Sequence, residues 1–242
     1  MVSKSQIKLI RSLHQKKHRQ IENMFIAEGV KVISELLDSK IRLVHLYQTD
    51  DIFPGVNQSQ KTTISASDLA RISALTTPNN SLAIFEIPTS TFALGDGLIV
   101  ALDDIRDPGN LGTIIRLCDW FGVKQIICSN ETADLYNPKV VQATMGSMAR
   151  VDLSYVDLND LLSKSNLPIF GTFMDGDNIY QQDLPSSGII VFGNEANGIS
   201  DIISQNINRR IAIPRFGELQ ATESLNVATA TAIVLSEFRR KS

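Results

Sequence analysis

Apolar and polar positions divide this chain into two stretches of different rhythm. In residues 5–20, Ile7, Leu9, Ile10 and Leu13 recur at near-helical spacing among basic and polar neighbours, which predicts one short amphipathic helix. Phe25-Ile-Ala-Glu-Gly29 then leads into a helix over Val30–Leu37, with Val30, Ile33, Leu36 and Leu37 on one face. Leu43–Tyr47, Thr62–Ile64 and Leu82–Ile87 are short apolar or β-branched runs that predict strands. Between the last two, Ser67–Ile72 predicts a short helix with Ser67 as its N-cap. Together these make a small α/β module over residues 1–87. Residues 88–97, rich in Pro, Ser, Thr and Gly, carry neither period and predict a linker.

From residue 98 to 242 the pattern becomes strand, loop, helix, repeated. Leu98–Leu102, Gln125–Cys128, Pro168–Phe173, Gly188–Phe192 and Ile211–Ile213 predict buried strands. Gly112–Phe121, Pro138–Met148 and Ser224–Arg239 predict helices, and Met174-Asp-Gly-Asp177 a loop. Strands alternating with helices imply an α/β fold whose sheet is mainly parallel and covered on both faces.

Composition changes this picture in one place. The formal charge of −3 over 242 residues excludes a globally basic nucleic-acid binder. Met1–Gln20 nevertheless carries Lys4, Lys8, Arg11, Lys16, Lys17 and Arg19, with His14 and His18 and no acidic residue. Such a segment is either a footprint for phosphate backbones or a solvated helix face, and composition leaves both open. Cys118 and Cys128 are too few for a disulfide framework and sit among apolar residues, as core thiols do. No Cys/His spacing suits a metal, no apolar stretch follows the basic start as in a signal peptide, and no segment reaches membrane-spanning length. The expectation is a cytoplasmic protein without metal or membrane.

The candidate chemistry lies in three polar, Gly/Asn-rich segments: Asp107-Pro-Gly-Asn-Leu-Gly112 with Arg116, Phe192-Gly-Asn-Glu-Ala-Asn-Gly198, and Thr222-Glu-Ser-Leu-Asn-Val227. Each follows an apolar β-branched run, and loops at the ends of buried parallel strands are where α/β sheets bind ligands. In the first, Pro108 and Gly109 suit a turn and Asn110 a cap for the following helix. Arg116 follows Ile114 and Ile115 on an otherwise apolar face, so its charge needs a partner, for which Asp103, Asp104 and Asp107 also qualify. The G-x-G-x-x-G fingerprint is missing, because Gly109 and Gly112 do not have its spacing, which disfavours a dinucleotide-dependent oxidoreductase. In the second segment the glycines allow close approach to the main chain, and Glu195 is its one ionisable residue. In the third, Ser224 or Thr222 suits an N-cap, and the small residues Ala228–Ala232 suit a helix wedged against another backbone or a partner subunit.

Together these segments resemble the SpoU (TrmH-type) family of the SPOUT superfamily, S-adenosylmethionine-dependent RNA 2′-O-ribose methyltransferases. Asp107–Arg116 is similar to the family's first motif, Phe192–Ile199 to the second, and Ile213-Pro214 with Glu223–Val227 to the third. Lys139–Arg150 matches a further family segment. The region around Lys16-Lys17-His-Arg19 and Phe25–Gly29 is similar to a substrate-binding module that often precedes this catalytic domain. The resemblance implies a deep trefoil knot in the C-terminal domain and a homodimer with active sites near its interface. It implies S-adenosyl-L-methionine as cofactor, held by backbone at Gly193, Ile213 and Leu225, with Thr172 and Asn194 as weaker candidates. Lys16, Lys17 and Arg19 would hold RNA, rRNA of the 23S type ahead of tRNA. Two departures stand out: Arg215 replaces the Met that commonly follows Ile-Pro, and the 215–222 loop is longer than in the shortest relatives.

A ribose hydroxyl is a poor nucleophile until its proton is removed or polarised. The resemblance assigns that task to Arg116, and a guanidinium, protonated at neutral pH, suits orienting the hydroxyl or a phosphate and stabilising oxyanion charge. Asn110 would position the RNA or the arginine, Glu195 would anchor Arg116 or its loop, and Ser224 and Asn226 would complete the pocket. A relative that binds RNA without turnover is the alternative, and intact Asn110, Arg116, Glu195, Ser224 and Asn226 argue against it.

Overall fold

The computed structural model describes residues 2–89, 91–217 and 224–240, so Thr222 and Glu223 of the third segment lie outside the described residues. By contact the chain forms two compact units, Met1–Thr91 with Asp134–Ala149, and Phe92–Ala133 with Arg150–Ser242. Asp134–Ala149, expected in the second domain from chain order, thus groups with the first unit.

The first unit opens with α1 (Lys4–Ser12), started by a reciprocal capping box between Ser3 and Gln6. A second helix, α2 (Lys16–Glu22), follows where the apolar spacing predicts one continuous helix. The chain turns because Ile10 and Leu13 are fully buried and Arg19 folds back, its Nη1 donating to the Leu13 carbonyl at 2.9 Å. Then come β1 (Met24–Glu28), α3 (Val30–Leu37), β2 (Leu43–Gln48), β3 (Lys61–Thr63), α4 (Ala66–Ile72) and β4 (Ser81–Glu86). Their sheet has the order β1-β4-β2-β3, antiparallel except between β2 and β3. Strand β1 occupies the stretch expected only to lead into a helix; it is found by pairing with β4, not by any local period. Helix α4 is capped by Ser65, which accepts from Asp68 N, rather than by Ser67.

The helix Pro138–Thr144, α6 in chain order, packs on β1 and α3. It stops short of the predicted Met148 because Met145 and Gly146 take left-handed angles, φ 52° and 95°. A Cβ on Gly146 would stand 2.4 Å from Glu35 Cβ, so this close approach to α3 requires glycine. Tyr136 packs on Phe25, with ring centroids 4.9 Å apart.

The second unit contains β5 (Leu98–Leu102), α5 (Pro108–Trp120), β6 (Gln125–Cys128), β7 (Asp152–Tyr155) and α7 (Leu158–Lys164). It continues with β8 (Ile169–Asn178), β9 (Gly188–Phe192), α8 (Asp201–Ser204), β10 (Arg209–Ala212) and α9 (Val227–Arg239). All pairings in its six-stranded sheet, β10-β8-β9-β5-β6-β7, are parallel. The half-buried β7 and the short α7 and α8 lack a predicted counterpart. Ile99, Ala101, Ile189 and Val191 share one apolar cluster with Leu158, Leu162 and Ile203, while Phe170 meets Phe238 of α9 edge-on at 5.1 Å. Cys118 and Cys128 are buried in this core, and burial raises both thiol pKa values.

Strands β5 and β9 are neighbours in register, Leu102 opposite Phe192, and the sheet grows in opposite directions from them. That is a topological switch point, the place where an open α/β sheet leaves a crevice beyond its strand ends. No described helix is long and apolar enough to cross a membrane.

Candidate active site

The site is assembled beyond the C-terminal ends of β5, β9 and β10. Helix α5 begins earlier than its sequence suggests. Asp107 is the N-cap, accepting from Asn110 N at 2.8 Å, and Pro108 takes the first helical position, where its missing N–H costs nothing. Asn110 is therefore not the cap, and its side chain is free to reach outward.

The loop after β9 closes on itself. Asn194 and Gly198 exchange two backbone hydrogen bonds of 2.9 and 2.8 Å, and Asn194 Oδ1 accepts from Ala196 N at 2.9 Å. Gly193 permits this closure, since a Cβ there would lie 2.2 Å from the Gly198 carbonyl carbon. The loop is tied to the one after β5: Asn194 Nδ2 donates to the Asp104 carbonyl at 2.7 Å, and Ser200 N donates to Asp103 Oδ2 at 2.8 Å. Asp104 itself has φ 59° and pairs with Arg106 at 2.7 Å. These bonds join the glycine-bearing loop after β9 to the acidic loop after β5 as one rim.

Asn226, not Ser224, caps α9, its Oδ1 accepting from Ala228 N and Thr229 N at 3.0 and 3.2 Å. Its Nδ2 donates to Asn110 Oδ1 at 2.9 Å, and Asn110 Nδ2 donates to Glu195 Oε1 at 2.7 Å. Asn110 thus joins all three sequence segments through a single amide. Of the two roles expected for Glu195, anchoring Arg116 or the loop, its bond to Asn110 fits the second.

Arg116 is exposed and makes no hydrogen bond or ion pair among the described residues. The acidic residues suggested as its partners are otherwise committed: Asp107 caps α5, Asp103 holds Ser200, and Asp104 holds Arg106. Arg116 follows Asn110 by nearly two helical turns, roughly 9 Å along the axis. Trp120 is also exposed, at 84%.

Beside this network is a cavity of about 1280 Å³. Gly193, Ile213, Leu225, Thr172 and Asn194, the expected cofactor contacts, all line it, as do Glu195 and Ser224. Asn110, Asn226 and Arg116 are outside its lining. Thr172 is turned to the sheet, its hydroxyl donating to the Val191 carbonyl at 3.1 Å. Lining residues without a sequence signal include Met174, inside β8, and Phe216, four residues beyond the end of β10. Arg215, noted as a departure, lines the cavity too. Among the described residues no cluster of His, Cys, Asp and Glu could hold a metal.

In the first unit Lys16 and Lys17 are exposed at the start of α2, but Arg19 is not. It is 2% exposed and ion-paired with Asp134 while its other nitrogen holds the end of α1. The expectation that Arg19 faces RNA is corrected: a guanidinium with both ends satisfied inside the unit is a structural link.

Residues 97–236 match the SpoU rRNA Methylase family, and residues 4–83 match the MRM3-like substrate binding domain. Among curated proteins, 23S rRNA (guanosine(2553)-2′-O)-methyltransferase RlmP of Bacillus subtilis is 28% identical, the match covering 95% of this chain and 94% of that one. Among solved structures, a TrmH-family chain from Porphyromonas gingivalis is 39% identical with a TM-score of 0.91, covering 100% of both chains. An AdoMet-bound rRNA methyltransferase from Sinorhizobium meliloti is 29% identical with a TM-score of 0.86, covering 99% of this chain and 97% of that one.

Proposed function

The chain belongs to the SpoU rRNA Methylase family, and on that premise we propose that it is an S-adenosylmethionine-dependent RNA 2′-O-ribose methyltransferase acting on 23S-type rRNA. The observation that carries this reading is the Glu195–Asn110–Asn226 network beside a cavity with a glycine-cradled rim.

The cavity suits the cofactor. Its Gly193–Gly198 and Ile213-Pro214 walls bring main chain close to a ligand, and Phe192, Val227 and Val234 give an apolar floor. Gly193, Ile213 and Leu225 would hold it, with Asn194 fixing the loop. S-adenosylmethionine, when bound, supplies a methyl group on a sulfonium, already activated without a metal. The protein's part is to align a hydroxyl with that methyl and to stabilise charge on the oxygen. Arg116, exposed and uncommitted among the described residues, is the group for that charge; a guanidinium carries donors and no acceptor, so it stabilises the oxygen rather than taking its proton. Asn110, Glu195 and Asn226 hold the loops in register, and Ser224 closes the pocket wall.

Residues 1–87 would hold the RNA and residues 98–242 the chemistry. Lys16 and Lys17 support this: two exposed cations at a helix N-terminus oppose the helix dipole, so helix stability does not explain them. Their phosphate contacts would weaken with salt. A homodimer in the cytoplasm is part of the same proposal, supported by Trp120 exposed on α5 near Arg116. So is the trefoil knot, which rests on the likeness to the SpoU family.

The test is methyl transfer from labelled S-adenosylmethionine to separate pools of unmodified rRNA and tRNA. Wild type labels ribose in rRNA; Arg116→Ala and Arg116→Lys lose roughly 100-fold or more. Label in tRNA alone would replace the substrate, and full turnover by Arg116→Lys would overturn the bidentate role given to the guanidinium.

A further inference from the structure

The cofactor reading leaves the outer part of the cavity without a task. The cavity is open to solvent on its outer side, and its two parts differ in lining. The inner lining is buried, with Phe192, Ile211, Val227 and Val234 all under a tenth exposed. The outer lining is different. Met174 is 57%, Leu225 48% and Phe216 85% exposed, and the Arg215 guanidinium reaches Met174, Nη2 to Sδ 3.7 Å. A phenyl ring this exposed contributes little to the fold, and large apolar groups gathered at one opening mark a recognition surface.

The chemistry of the occupant follows from the reaction. A ribose hydroxyl enters the cavity only when its nucleotide is drawn out of the RNA stack, which strands its base without a neighbour. Unstacked bases are received on aromatic rings and guanidinium planes, and this rim carries one of each. We propose that Phe216, with Arg215 beside it, is the stacking platform for the base of the methylated nucleotide. This rests on the function proposed above. Phe216 lines the cavity and is 85% exposed, whereas Phe192 on the inner lining is 1% exposed.

Steady-state kinetics on in-vitro-transcribed 23S rRNA, with calorimetric titration of S-adenosylmethionine, tests this in wild type, Phe216→Ala and Phe216→Trp. Phe216→Ala should raise the KM for RNA about tenfold or more, as expected for loss of one base–aromatic stack, and leave the cofactor Kd within about twofold. Phe216→Trp should recover most of the loss, which a purely structural role would not allow. An unchanged KM in Phe216→Ala, with wild type active, overturns the platform alone. A rise that follows the cofactor Kd makes Phe216 a cofactor wall and overturns it too. A wild type that binds S-adenosylmethionine and methylates neither rRNA nor tRNA removes the function reading, and the platform with it.

Discussion

Asn110 shows how much one side chain can organise. Its amide joins all three polar segments, donating to Glu195 and accepting from Asn226 at 2.7 and 2.9 Å. Its type and position are visible in the sequence, but its task is not, because a Gly-Asn before a helix suits capping and the cap is in fact Asp107. Asn110→Ala should lower single-turnover methyl transfer roughly 100-fold while leaving the cofactor Kd nearly unchanged, since Asn110 does not line the cavity. Asn110→Asp should be worse, because it sets a second carboxylate against Glu195. Turnover by Asn110→Ala within about threefold of wild type would show that the loops are held without it. Arg19 is the opposite lesson. It belongs to the most basic stretch of the chain, and only burial against Asp134 shows it to be structural.

At the scale of elements, buried strands with continuous apolar runs are the legible ones. Leu98–Leu102 and Gly188–Phe192 fall where the sequence predicts, because a parallel strand covered on both faces needs no polar position. Strand β1, half-buried β7 and four-residue α8 depend on partners distant in sequence, so no local period announces them. The loop after β9 is both legible and exacting: its glycines are visible, and its closure onto Gly198 is a tertiary fact. Gly193→Ala should strain that closure by about 1–3 kcal/mol and abolish measurable cofactor binding, read by thermal melting beside calorimetry. A variant with wild-type melting and wild-type affinity would mean the loop can open without loss.

At the scale of the molecule, the sheet's switch point between β5 and β9 decides where the chemistry gathers. The exposed face of α5, with Arg116 and the single tryptophan of the chain, stands outside the cavity. In the proposed homodimer that face is covered by a second copy. Sedimentation equilibrium should give a dimer for wild type and a monomer for Trp120→Glu, with methyl transfer lost alongside association. A wild-type monomer throughout the micromolar range would refute the dimer.

From the sequence alone come the α/β class, the parallel character of the second half, the three polar segments and the family they resemble. These are properties of local pattern: period, β-branching and the special angles that Gly and Asn tolerate. The tertiary structure decided which of the polar residues meet. Asn226 became a cap, Glu195 a partner of Asn110, and Arg19 an internal link, while Asp134–Ala149 joined the first unit. Apart from the local Asn226 cap, each of these depends on contacts across tens of residues, where burial and hydrogen-bond geometry choose among partners that the linear pattern leaves equivalent.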